Sequence, residues 1–217
     1  MKIDKKITWK ILESLDVNGV SKRQLISTFR DVLQGEFSES LITNLRRKKE
    51  ILYVFNGYYY VKDAREIHGS YMQYSPEEMV YALLNKSNVR WYLGLESALE
   101  RNTLIWQAVV NPVILNSNVS GEKKILGLKF QFRKMKRNLF DFGCLKKTTK
   151  NRITYYYSDP QKTYLDFIYH HEKIPTELSE VKNQKKTLTY LSHYSRNFRK
   201  KVIALWKKEI SGNISLT

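Results

Sequence analysis

The chain is poor in the residues that would give it an easy chemical identity. Among 217 residues there is one cysteine, Cys144. An internal disulfide framework is therefore excluded, and a reducing compartment fits. No run of 18 apolar residues occurs, so no membrane-spanning helix is expected. The opening "MKIDKKITWK" lacks the apolar stretch of a signal peptide. Acidic side chains are scarce as well, 21 against 38 Lys and Arg, a net charge of +17. These features predict a cytoplasmic protein with a polyanionic partner.

The usual catalytic arrangements are also missing. Ser97 in "GLESA" lacks the second glycine of a nucleophile elbow and reads as a serine at a helix start. His170-His171-Glu172 has no further Cys or His at metal-ligand spacing. Glu122-Lys123-Lys124 has the Glu-x-Lys spacing of some nucleases, yet residues 101–121 carry no Asp or Glu to complete it. There is no P-loop and no dinucleotide fingerprint. Cys144 reads as a small buried residue. The expectation is a protein that is not an enzyme, with no metal and no cofactor.

What is present is a pattern of elements. "YVFNGYYYV" places Asn56-Gly57 between two runs of aromatic and β-branched residues, the strongest short-range hairpin signal. Strands are predicted at 51–55 and 58–62. Upstream, Ile7, Ile11, Leu12 and Leu15 recur at helical spacing. "SKRQLISTFRDVL" opens with Ser21 and Gln24 in capping-box spacing, and "SESLITNLRRKK" has Ser38 as its cap and Leu41, Ile42 and Leu45 as its apolar stripe. Three short helices and then a tight hairpin is the order of a winged helix-turn-helix. That predicts a domain at 1–66, with 38–49 as recognition helix and 51–62 as wing.

In that helix Ser40, Thr43, Asn44 and Arg47 fall opposite the apolar stripe, flanked by Arg46 and Lys48. Asn and Arg can read adenine and guanine edges, while Ser, Thr and Lys hold phosphates. Ser38 sits at its start. Ser21, Lys22 and Arg23 would offer a helix N-terminus to the DNA backbone, and Asn56 and Tyr58 would form the wing tip. A solvated basic helix end is the rival reading of "RRKK", and the net charge of +17 favours the DNA-binding one.

A second domain, 76–217, is predicted to be mixed α/β, giving an α+β chain overall. Ser75-Pro76-Glu77-Glu78 is a capped helix start, followed by the amphipathic piece "LESALERNTLIW". "LGLKFQFRK" alternates with period two, so Leu126, Leu128, Phe130 and Phe132 form a buried face. "RITYYYS" is a further strand, and Ser158-Asp159-Pro160-Gln161 is read as a serine cap before a buried helix. A helix over 187–210 closes the chain. Residues 1–74 carry 13 basic and 9 acidic side chains, residues 75–217 carry 25 and 12. The second domain is thus the more electropositive, and Lys129, Arg133 and Lys136 are candidate backbone contacts. The tyrosine triplets at 58–60 and 155–157 could stack bases, but strand packing is the simpler account.

"WYLGLESALERNTLIWQ" (91–107) and "YYYSDPQKTYLDFIYH" (155–170), behind an N-terminal winged helix, resemble the AbiEi-type antitoxins of type IV toxin–antitoxin systems. Arg101-Asn102-Thr103 replaces that family's His-Gly pair, and Gln161-Lys162 its Glu-(Arg/Lys). The resemblance implies a phage-defence regulator. Its first domain would bind double-stranded DNA at inverted repeats in its own promoter and repress transcription. Its second would neutralise a nucleotidyltransferase-like toxin without a stable complex. No membrane partner is expected. Two rivals stay open: a metal-dependent nuclease, and a winged-helix module for protein assembly.

Overall fold

A computed structural model of the chain describes residues 20–21, 39–55, 57–69, 71–87, 89–181 and 185–214. They form a mixed α+β structure in two compact units. The first two helices of the expected trio lie outside the described residues, as do Lys22, Arg23, Ser38 and Asn56.

In the first unit, helix α1 (Glu39–Arg47) turns Ile42 and Leu45 into the core and leaves Thr43, Asn44, Arg46, Arg47 and Lys48 exposed. It ends in a Schellman motif. Glu50 N donates to Leu45 O and Lys49 N to Arg46 O, both at 3.0 Å, with Lys49 left-handed at φ 57°. That turn feeds β2 (Ile51–Phe55), which pairs antiparallel with β3 (Tyr58–Val61). Gly57 supplies the positive φ (79°) that the tight turn needs. A third strand, β1 (Val20–Ser21), adds to β3 with Val20 opposite Tyr59. The sheet order is β1-β3-β2. Three strands and a helix give the hairpin what a lone ribbon lacks.

Helix α2 (Ala64–His68) was not expected. It is held by a capping box in which Asp63 accepts from Glu66 N at 2.8 Å and Glu66 accepts from Asp63 N at 3.0 Å. Glu66 is buried because it has further donors to satisfy it, Tyr60 Oη at 2.5 Å and Gln73 N at 2.7 Å. Helix α3 (Pro76–Lys86) has the predicted Ser75/Glu78 capping box with Pro76 at its first position. It belongs to the first compact unit, past the break expected at 67–75. The reason is apolar. Met79, Ala82 and Leu83 face Val54 and Tyr60 around a void of about 10 Å³, and residues 79–84 are all buried.

The second unit is built on a six-stranded mixed sheet of order β6-β7-β5-β4-β9-β8. Its strands are β4 (Trp91–Leu93), β5 (Val113–Asn116), β6 (Gly121–Ile125), β7 (Leu128–Lys134), β8 (Cys144–Thr148) and β9 (Thr154–Ser158). β4 runs antiparallel to β5 and parallel to β9, and β5 runs parallel to β7. Both faces of the central strands β4 and β5 are buried. Tyr92, Val113 and Leu115 join a core with α4 (Leu95–Arg101), α5 (Pro160–Tyr169), α6 (Lys185–Leu191) and α7 (Arg196–Ile214). Leu93, Ile114, Phe132 and Tyr157 are buried on the other side. The two outermost strands carry lysines: Lys123 and Lys124 on β6, Lys146 and Lys147 on β8.

Several boundaries differ from expectation for local reasons. Leu126 leaves the strand because Leu126-Gly127 forms the turn between β6 and β7, both residues with positive φ. α5 is capped by Asp159, which accepts from Lys162 N at 2.9 Å, while the Ser158 hydroxyl bonds Thr163 instead. The predicted helix 187–210 is two helices. The turn between them is closed by Ser192 Oγ donating to Thr189 O at 2.6 Å and by Ser195 at the start of α7.

Candidate nucleic-acid interface

Of the candidates picked from the sequence that are among the described residues, most lie on or beside the helix and hairpin of the first unit. Asn44, Arg46 and Arg47 are exposed on α1 with Thr43 beside them, and Lys48 is exposed in the turn that follows. Arg46 is more constrained than its neighbours, because its guanidinium lies 5.9 Å over the Tyr53 ring. Tyr53 in turn meets Tyr59 edge-on at 5.5 Å. This aromatic support for a helix arginine was not read from the sequence. The signal available was Tyr53, outward on β2 six residues after the helix ends. Tyr58 is half-buried at the end of β3. Ser40 lies on α1, and Ser21 lies in β1 with its backbone opposite Tyr58.

The triplet Tyr58-Tyr59-Tyr60 is mainly core. Tyr59 and Tyr60 are buried, and burial together with Glu66 pushes the Tyr60 phenol far above its usual pKa. In the second triplet Tyr155 and Tyr157 are buried, and Tyr156 packs against Trp91 at 6.0 Å.

The three basic candidates of the second unit differ from one another. Lys129 pairs with Glu122 at 3.1 Å and Arg133 with Glu172 at 2.7 Å, while Lys136 is exposed. Two of the three charges are thus partly answered within the protein, which weakens them as phosphate contacts. The same pairs occupy two motifs weighed for metal chemistry, Glu122 of the Glu-x-Lys and Glu172 of the His-His-Glu. His171 Nδ1 lies 3.0 Å from Lys201 Nζ. Burial and the neighbouring Arg133 hold the His170 imidazole down at a pKa of about 4. Among the described residues no group of three His, Cys, Asp or Glu is placed to hold a metal ion. Ser97 is buried, and its hydroxyl accepts from Val113 N at 2.8 Å, latching β5 to α4.

The most unusual electrostatics lie inside the second unit. Lys162 and Asp166 are both fully buried, 3.4 Å apart on successive turns of α5. Asp166 also accepts from Tyr92 Oη at 2.9 Å and Tyr194 Oη at 3.4 Å. The Lys162 ammonium lies 4.5 Å over the Phe142 ring and 4.9 Å over the Tyr92 ring. Burial raises the Asp166 pKa against the lowering pull of Lys162 and the two tyrosines. Burial pushes the Cys144 thiol up to about 12, so it stays protonated and unreactive at neutral pH. The bonds from Tyr92 on β4 and from Tyr194 to Asp166 tie α5 to the rest of the same unit.

Among the described residues no helix is long and apolar enough to cross a membrane. No protein-family model matches the chain, and no curated protein matches it. The crystal structure of the RV2827C protein from Mycobacterium tuberculosis is similar in fold. It shares 12% identity at a TM-score of 0.56, over 94% of this chain and 72% of that one.

Proposed function

We propose that the protein is a DNA-binding transcriptional regulator whose first unit is a winged helix-turn-helix. The observation that carries this reading is α1. Its Ile42 and Leu45 are fixed in the core, so Asn44, Arg46 and Arg47 are held outward on a rigid element, with Lys48 exposed in the turn that leads to a tight hairpin. Base-edge reading needs such a helix, with Asn and Arg as bidentate readers and Lys on phosphates. The net charge of +17 supplies the attraction to a polyanion. The likeness of "WYLGLESALERNTLIWQ" and its later partner segment to AbiEi antitoxins extends the proposal. In that extended reading the protein represses its own operon from the cytoplasm, and its second unit neutralises a nucleotidyltransferase-like toxin.

The test is binding of the purified full chain to duplex DNA from upstream of its own coding sequence, across a salt series, with excess unrelated duplex as competitor. A footprint that survives competition supports the regulator. Loss of binding to any competitor in equal measure overturns it. Co-expression with the neighbouring gene then tests the antitoxin part, rescue of growth being the supporting result.

A further inference from the structure

The turn joining β8 to β9 has an unusual occupant. Thr149 N donates to Ile153 O at 2.9 Å and Arg152 N to Thr149 O at 3.0 Å, with Arg152 left-handed at φ 62°. This is the three-residue hairpin loop with a bulge whose left-handed position ordinarily belongs to glycine. An arginine there holds the backbone in a strained region. Among the described residues neither Arg152 nor Lys150 pairs with an acid, and both are exposed.

The turn is nevertheless held firmly. Asn151 Nδ2 donates to Gln73 O at 2.9 Å and to both Glu78 carboxylate oxygens at 3.0 and 3.2 Å. Asn85 Nδ2 donates to Thr154 O at 2.7 Å. Burial would raise the Glu78 pKa, but hydrogen bonds from Thr149, the Ser75 backbone and Asn151 outweigh it and keep the carboxyl below its usual range. Residues 148–154 accordingly belong to the same compact unit as α1 and the β2–β3 hairpin. In sequence, residues 142–158 contain Lys146, Lys147, Lys150 and Arg152 and no acid at all.

We propose that this clamped turn is a second phosphate-binding element, with Lys150 and Arg152 each engaging the backbone of the nucleic acid. The proposal rests on the DNA-binding reading of α1 and adds a contact that no recognition helix or wing supplies. An anionic membrane would attract the same charges. However, the turn residues Thr149, Lys150, Asn151 and Arg152 offer no apolar side chain to insert, and Ile153 is buried.

The experiment compares the full-length wild type with Arg152→Gly and with Lys150→Gln/Arg152→Gly on the upstream duplex. Arg152→Asn serves as a second variant that tolerates the left-handed backbone. Glycine relieves the strain, so the thermal midpoint of Arg152→Gly should hold or rise. Meanwhile the slope of log affinity against log salt should fall by about one unit, and by about two in the double variant. A wild-type slope in the variants, with the footprint intact, removes the turn from the interface and leaves the α1 reading standing. A wild type that fails to bind the duplex sinks both. Flotation with phosphatidylserine vesicles completes the set. Vesicle binding lost in the variants, with duplex binding unchanged, would replace nucleic acid by a membrane and overturn the proposal.

Discussion

Removing the Lys162 ammonium should destabilise the second unit more than any single surface change. Lys162→Met keeps the length and apolar stem of the side chain but leaves Asp166 charged and fully buried, with only two tyrosine hydroxyls to answer it. Breaking a buried pair from one side costs about 3–5 kcal/mol, a large part of the roughly 5–15 kcal/mol typical of a whole domain. The pH dependence fixes the cause. Asp166 already has a raised pKa in the folded chain. The native state therefore holds its proton more readily than the unfolded chain, and this group's contribution is full below the ordinary aspartate range of about 4. It is lost as pH rises through the folded value. Lys162 lowers that value, so its removal moves it further up. The deficit of Lys162→Met should then be large at pH 7 and shrink toward pH 4–5. Urea unfolding followed by tryptophan emission is a suitable assay, since Trp91, Trp106 and Trp206 all lie in this unit. Lys162→Met/Asp166→Asn removes the stranded charge while keeping an acceptor for Tyr92 and Tyr194, and should recover at least half of the loss. A deficit under about 1 kcal/mol, or one independent of pH, would refute the account of a burial-raised carboxylate restrained by its lysine.

Arg47→Ala should relax base preference and cost about 1–3 kcal/mol in binding if its fork reads a guanine, with no change in unfolding midpoint because the side chain is exposed; a footprinting titration decides. Neutralising Lys129, Arg133 and Lys136 together should lower the salt slope by clearly less than three units, because the first two already face Glu122 and Glu172. A loss of three full units would show those pairs to be open in the complex. Glu66→Ala strands Tyr60 Oη and Gln73 N and removes half of a capping box, so the first unit should lose about 2–3 kcal/mol by urea titration.

The parts that were legible in the sequence were those written locally. Asn56-Gly57 marked the hairpin, Ser75-Pro76-Glu77-Glu78 marked α3, and the alternation of Phe130 and Phe132 with polar neighbours marked β7. Period-two and period-3.6 patterns record which face is buried, so they survive without knowledge of the partner. What stayed hidden depends on residues brought together by folding. Glu172 answers Arg133, Asn151 reaches Glu78, and α3 closes over Val54 and Tyr60. The cap of α5 shows how narrow the margin is: Ser158 and Asp159 are both good caps, and Thr163 decides the matter by engaging the serine hydroxyl. For the interface, the exposed side of α1 could be read from its apolar stripe, whereas the stacking of Arg46 on Tyr53 could not.

The lysines on the two outer strands of the six-stranded sheet bear on how copies of this chain meet. A sheet edge is an open row of hydrogen-bonding groups that another strand can join, and positive side chains along it repel an identical edge. Here β6 brings Lys123 and Lys124 to one margin, and β8 brings Lys146 and Lys147 to the other. Two molecules approaching margin to margin would set like charges opposite each other at both ends of the sheet. Growth of the sheet from one copy into the next is thereby opposed.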